Sequence, residues 1–333
     1  MIKDRIIKFF RCLFNTPSPI PVEAQIEITN KCNFSCNMCP RENMNVPLTN
    51  MDFGLFKEVV RKLSTPPPIT PLQGGDAEGV RDFILTGWGE PLLHPDFFEM
   101  VDFIKSTNNS ARIRFTTNGS LLDRDFRNRI LESNINQVSI SMDGLDSSNH
   151  IDGHVESGSI IENVTALAAE RNSNKIPQIV FQSTMHCNNL KGLKNLIEFG
   201  GRIGIDRINL VRLDVRNNKG LKRPSMDEEQ HIYRELQNIA ENFNIPISFI
   251  NKQGILLQMA GHFDRLCLRT IDHIYVNVNG DVTPCCNLRE MKMGSLTKGD
   301  IKEIWNNKMF RNFRAYQLRV CRGCDALKRR HHH

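Results

Sequence analysis

The sequence predicts an α/β protein: a parallel sheet with helices outside, followed by a smaller α+β unit. Short runs rich in Val, Ile, Phe or Thr alternate with longer helical patterns through the first two-thirds of the chain. A length of 333 residues suits one large domain and a smaller one. From Leu266 onward the pattern changes to a hairpin, two short helices and clustered cysteines.

The first 21 residues form a segment of their own. Ile2, Ile6, Ile7, Phe9, Phe10, Leu13 and Phe14, interleaved with Lys8 and Arg11, fit a basic amphipathic helix. Packing against the body of the protein is favoured over lying on a membrane surface. The run is too short to span a bilayer and lacks a small-residue cleavage site, so it is no signal peptide. After a Pro-rich entry at 16–21, strands are expected at 23–29, 82–86, 112–117, 137–142, 178–185 and 207–213. Helices are expected between them at 53–63, 96–106, 124–132, 159–170 and 190–199. Six such units are two short of a closed eight-fold barrel, and chemistry should gather at the carboxyl ends of the strands. The Pro- and Gly-rich stretch 64–79 reads as an inserted surface loop. A helical pattern at 226–243, then 246–250, leads out of the sheet. Asn279-Gly280 is a tight-turn dipeptide joining strands at 274–278 and 281–283. Helices at 301–306 and 308–316 follow. The expected divisions are 1–21, a sheet domain 22–225, a helical connector 226–265 and a small domain 266–330. Residues 331–333 read as the remnant of a purification tag.

A net charge of +6 is mild, and the basic residues are scattered. That points weakly to an anionic substrate and not to nucleic acid. Ten cysteines without a secretory signal read as metal ligands in a reducing cytoplasm.

Cys32, Cys36 and Cys39 stand as C-x-x-x-C-x-x-C just after the first strand. Three thiolates can hold a [4Fe–4S] cluster while leaving one iron open, since such a cluster ordinarily takes four. The next strand ends carry Thr86-Gly87-Trp88-Gly89-Glu90-Pro91, then Thr117-Asn118-Gly119, then Ser141-Met142-Asp143-Gly144. Singly these are turns; at successive strand ends beside the cysteines they read as a cofactor rim. A second set, Cys267, Cys285, Cys321 and Cys324, could bind zinc or a fully ligated cluster, with Cys286 able to stand in for Cys285. Cys12 and Cys187 remain. Cys187, after the fifth strand, reads as a small buried apolar residue or, less favoured, as a hydrogen-donating thiol. Gln182, His186, Arg212 and Asp214 lie on the same rim and are candidates for orienting substrate.

Together these motifs resemble the radical S-adenosylmethionine (SAM) superfamily, and the tail (NVNGDVTPCC, MGSLTKGDIKEIWNN, CRGC) resembles its twitch/SPASM extension. The resemblance implies an open, partial (β/α)6 barrel with SAM on the open iron and one auxiliary [4Fe–4S] cluster. It implies that the Gly89-Glu90 motif holds the SAM amino group, with Trp88 where the family usually has glycine. Asn118, Ser141 and Asp143 would reach the ribose and carboxylate, and the Met38 backbone the adenine. His154 occupies the place of an arginine that binds the SAM carboxylate, but lacks its charged fork. The implied reaction is hydrogen-atom abstraction by a 5′-deoxyadenosyl radical, with a flavodoxin- or ferredoxin-type electron donor. Oxidation with the auxiliary cluster as acceptor is favoured, and epimerisation with a thiol donor is the alternative. Only 31 residues precede Cys32, too few for the leader-recognition domain common in peptide-modifying relatives. A carbohydrate, aminocyclitol or other small substrate is therefore expected over a peptide.

Overall fold

All six expected strands form, and they pair in sequence order in the computed structural model. The structure describes residues 10–11, 16–64, 79–145, 157–172, 174–214, 220–249, 267, 269–321 and 324. The proposed amphipathic reading of the first residues, most of the 64–79 loop and His154 lie outside that set.

Strands β1 (Glu23–Ile26), β2 (Asp82–Leu85), β3 (Arg112–Thr117), β4 (Gln137–Ser141), β5 (Gln178–Met185) and β6 (Arg207–Arg212) are all parallel. Between them run α1 (Phe53–Ser64), α2 (Phe97–Thr107), α3 (Arg124–Glu132), α4 (Ser157–Glu170) and α5 (Leu190–Ile203). Each helix offers the sheet an apolar stripe at helical spacing. In α1 the buried residues are Phe56, Val59, Val60 and Leu63; in α2 they include Phe97, Met100, Val101 and Ile104. Burying each such side chain is worth about 1.5–3 kcal/mol, so the helices are fixed by packing rather than by intrinsic propensity. Local signals set the ends. Asp123 caps α3 by accepting from Phe126 N, and Gly204, at φ 76°, closes α5.

Two findings extend the expected sheet. After α6 (Met226–Asn242), entered through a Ser225–Glu228 capping box, residues Ile247–Phe249 form β7, parallel to β6. The stretch read as a connector therefore contributes a strand. At the other edge, α7 (Arg269–Asp272) leads into β8 (His273–Val276), which pairs in parallel with β1, Glu23 opposite His273. Strands β9 (Asp281–Thr283) and β10 (Gly294–Ser295) complete an open sheet of ten strands, the last two pairings antiparallel. The β8–β9 turn forms as expected: Gly280 N donates to Asn277 O, with Gly280 at φ 77°. Helices α8 (Ile301–Asn306), α9 (Lys308–Ala315) and α10 (Gln317–Val320) follow. Trp305, fully buried, anchors them through Nε1–H to Ser18 O at 2.7 Å, with the Arg314 guanidinium 4.0 Å above its ring. Among the described residues no helix is long and apolar enough to cross a membrane.

Candidate active site and auxiliary thiol cavity

The loop bearing Cys32, Cys36 and Cys39 is stapled at its base. Asn30 Nδ2 donates to Pro47 O at 2.9 Å while its Oδ1 accepts from Thr49 N at 2.6 Å. Thr29 forms an isolated bridge to Asn50 and a 2.8 Å hydroxyl-to-amide bond with it. Within the loop, Phe34 is buried, Arg41 Nη2 donates to Phe34 O at 2.7 Å, and Cys39 N donates to Cys36 O at 3.0 Å. These bonds wrap the three cysteines into one turn. Burial pushes the Cys36 thiol up to about 12, reinforced by Cys39, Cys32 and Asp143. Burial also raises Cys32, and its surroundings include Glu90, Arg41 and Cys39. Thiols gathered like this and left protonated are a donor set that binding to iron would deprotonate.

The Gly87–Pro91 loop packs onto that base. A Cβ at Gly89 would lie 2.5 Å from both Thr29 O and Lys31 O, and Glu90 N donates to Lys31 O at 2.8 Å. The Glu90 carboxyl is fully buried and tied down. Oε1 accepts from Leu92 N at 3.2 Å and Oε2 from Asn118 N at 2.8 Å, so it joins the ends of β2 and β3. Burial pushes Glu90 up to about 7, against those amides. Asn118 Nδ2 donates to Asn33 Oδ1 at 2.9 Å, which brings the third strand end onto the cysteine loop. Asp143, at the end of β4, is buried and accepts from Thr184 N at 2.6 Å. Burial pushes it up to about 6, with His186 acting the other way. Ser141 ends β4 opposite Gln182, and Met38 is half-buried between Cys36 and Cys39. The structure thus gathers Cys32, Cys36, Cys39, Gly89, Glu90, Asn118 and Asp143 into one contiguous rim.

The remaining rim residues are spread over β5 and β6. His186 is buried, and Arg212 Nε binds Glu229 at 2.6 Å. Cys187 is exposed, its amide donating to Lys222 O at 2.9 Å, which corrects its reading as a buried apolar residue. It follows the last residues of β5, where the chain turns outward toward α5.

Five cysteines, Cys267, Cys285, Cys286, Cys321 and Cys324, line a second cavity walled also by Thr270 and Phe313. Among the described residues no three His, Cys, Asp or Glu side chains converge on a single-ion site. Burial raises Cys267, Cys285 and Cys286; Cys285 is raised further by Cys286, Cys267 and Cys324. Gln317 fixes the cavity's edge: its Oε1 accepts from Cys267 N at 2.7 Å, and its Nε2 donates to Thr270 at 2.6 Å. Both thiol sets fit iron–sulfur clusters, the first with three cysteines and the second with at least four.

Residues 26–200 match the model of the radical SAM superfamily. The chain belongs to the radical SAM superfamily. Residues 267–325 match an iron–sulfur cluster-binding domain, SPASM, so this radical SAM protein has a SAM-binding [4Fe–4S] cluster and auxiliary cluster binding in its C-terminal part. It is 24% identical over 331 residues to a tungsten-containing aldehyde ferredoxin oxidoreductase cofactor-modifying protein of Pyrococcus furiosus, covering 90% of this chain and 86% of the relative. It is 23% identical to an AdoMet-dependent heme synthase of Methanosarcina barkeri, covering 90% of each. Streptococcus suis SuiB, solved with its precursor peptide SuiA, shares the fold at a TM-score of 0.70 and 14% identity, over 98% of this chain and 74% of SuiB.

Three contacts across this radical SAM site were not foreseen. Glu27 binds Arg289 and the Trp88 amide, and Trp88 Nε1 donates to Cys286 O. The only sequence signal was the tryptophan standing in place of a glycine.

Proposed function

We propose that this enzyme is an oxidoreductase that removes a hydrogen atom, then an electron and a proton, from an unactivated carbon of a small molecule. When bound, the two cofactor groups supply reductive cleavage of SAM to a 5′-deoxyadenosyl radical at the first site and an electron acceptor at the second. The observation that carries the reading is the second cavity, where five cysteines provide more thiols than a cubane needs. A cluster held by four thiolates has no open iron for substrate, which leaves electron acceptance as its role.

The chain's own residues orient and exclude. The backbone carbonyls of the half-buried Gly87–Gly89 turn would accept from an ammonium group; Asn118, Ser141 and Asp143 would supply polar atoms for ribose and carboxylate; the Met38 backbone would serve adenine. His154, in the sequence position of the family arginine, would reach the carboxylate. Cys267, Cys285, Cys321 and Cys324 are the proposed auxiliary ligands, with Cys286 beside them. A carbohydrate, aminocyclitol or other small substrate is favoured. The two relatives matched over 90% of this chain are named for work on a cofactor and on heme. Residues 22–225 would be the catalytic domain, 226–265 the connector and 266–330 the cluster domain. A flavodoxin- or ferredoxin-type donor in the cytoplasm would supply electrons. A second reading rests on the exposed Cys187 thiol: returning a hydrogen atom from it would make the enzyme an epimerase of a peptide or sugar.

Anaerobically reconstituted protein, reduced with dithionite and given SAM with candidate substrates in deuterated water, tests both. The oxidation reading expects 5′-deoxyadenosine and a product two hydrogens lighter, with no deuterium at the attacked carbon. Deuterium there, abolished in Cys187→Ala, would replace it with epimerisation. Intact SAM in wild-type protein with a full iron complement would refute both.

A further inference from the structure

The Glu27 carboxylate lies where the barrel meets the auxiliary domain. It is fully buried, and Arg289 grips it with both arms of its guanidinium, Nη1 at 2.5 Å and Nη2 at 2.7 Å. The same carboxylate accepts from Trp88 N at 3.1 Å, and Trp88 Nε1 donates to Cys286 O at 3.1 Å. There is no slack beneath this loop: a Cβ at Gly87 would stand 2.3 Å from Glu27 Cγ. Tyr275 is buried nearby, its surroundings including Glu27, Arg289 and Cys286.

Each end of this arrangement belongs to a different site. Trp88 sits between Gly87 and Gly89 in the loop that packs on the cysteine turn. Cys286 and Arg289 sit in the segment that walls the second cavity, where Asn287 also reaches Asp214, beyond β6, at 3.4 Å. A glycine at position 88 could keep the backbone bond to Glu27 but not the indole bond to Cys286. A bidentate, buried guanidinium–carboxylate pair tolerates little change in angle or distance. Displacing one loop therefore displaces the other.

We propose that Trp88, with the Glu27–Arg289 pair, is a positioning residue that ties the SAM-motif loop to the wall of the auxiliary cavity, so that SAM binding is registered at the auxiliary cluster. Energetic coupling between two ligands is reciprocal. SAM bound at the Gly87–Glu90 loop shifts the auxiliary reduction potential, and the oxidation state of that cluster shifts SAM affinity by the same factor. A coupling of about tenfold, within the ordinary range, corresponds to about 59 mV for a one-electron couple.

The test uses full-length, anaerobically reconstituted protein in EPR-monitored redox titrations with and without SAM. Wild-type protein is expected to show a SAM-dependent shift in the auxiliary midpoint potential. Trp88→Phe keeps the ring but loses the indole donor; Arg289→Lys keeps the charge but loses the fork. Both are expected to retain iron and bind SAM while the shift falls by at least half. A purely structural role would lower the melting temperature and leave the SAM-dependent shift unchanged. A readout without SAM complements this one. The chain has two tryptophans, so Trp305→Phe leaves Trp88 as the sole emitter. Loading only the auxiliary site, in a Cys36→Ala background, is expected to quench its fluorescence. Absence of a SAM-dependent shift in wild type, a shift undiminished in both variants, or Trp88 emission indifferent to auxiliary loading would each overturn the proposal. None of these outcomes depends on which substrate the enzyme uses.

Discussion

Replacing Gly89 with alanine would drive a methyl group into the base of the cysteine loop. The added carbon would lie 2.5 Å from Thr29 O and from Lys31 O, whereas carbon–oxygen contacts settle at about 3.3–3.6 Å. Both carbonyls would have to retreat by about 0.8 Å. They are not free to do so: Thr29 is bridged to Asn50, and Asn30 between them is bonded to Pro47 and Thr49. Overpacking of this kind costs about 1–3 kcal/mol, and loss of the 2.8 Å bond from Glu90 N to Lys31 O adds about 1 kcal/mol. The expected total is about 2–4 kcal/mol, a fall in melting temperature on the order of 3–6 °C for a chain of this length. Since the loop carries Cys32 on one side and Glu90 on the other, SAM affinity should fall with it, measured by equilibrium dialysis at matched iron content. Gly158→Ala is the control. It meets nothing within 4 Å on its helix and should leave stability unchanged or raised by up to about 1 kcal/mol. A Gly89→Ala protein melting within a degree of wild type, with undiminished SAM affinity, would refute the account of this contact.

Three further outcomes follow from the same geometry. Glu90 is raised in the folded state from 4.5 to about 7, so the folded chain binds the proton more tightly than the unfolded one. Its contribution to stability is full below about pH 4.5 and is lost as pH rises through 7; Glu90→Gln should flatten that fall in a pH series of thermal melts. The same variant should cost about 1–3 kcal/mol near pH 5, because the single amide oxygen can replace only one of the two carboxyl oxygens that accept from Leu92 N and Asn118 N, and the amide NH2 cannot accept from the other. Arg171, its side chain 3% exposed, binds Asp206 and the carbonyls of Gly204 and Pro177; Arg171→Ala should destabilise by about 3–5 kcal/mol in urea unfolding. Cys36→Ala should abolish SAM cleavage and remove the N-terminal iron while the auxiliary iron remains, read by iron analysis and EPR.

The strands were legible because each is a short β-branched or aromatic run ending in glycine or small polar residues, as in β3 (Arg112–Thr117) before Asn118-Gly119. The helices were legible from apolar spacing, and α1 buries the residues its period selects. β7 was missed because three residues, Ile247–Phe249, carry too little pattern of their own and are defined by their partner β6. The rim of the candidate site was readable from motif order along the chain. What was not readable is how the rim is held. Glu27 looks like any alternating strand residue, and nothing local marks Arg289, more than 250 positions later, as its partner. Glu90 shows the complementary gap: the motif located it, but only the structure shows its carboxyl joining two strand ends through Leu92 and Asn118. Cys187 was placed correctly at the end of β5, yet its exposure depends on how the following turn leaves the sheet.

The parallel pairing of β1 with β8 has a consequence for biosynthesis. Glu23–Ile26 emerges from the ribosome some 250 residues ahead of His273–Val276, the neighbour that covers its outer edge. Ser18 likewise waits for Ile271 and Trp305. Until that neighbour is made the nascent sheet presents a bare edge beside the cysteine turn, a template for unwanted strand addition. Any chain cut short before residue 273 would keep that edge open, and should be recovered as aggregate rather than as a smaller, working barrel.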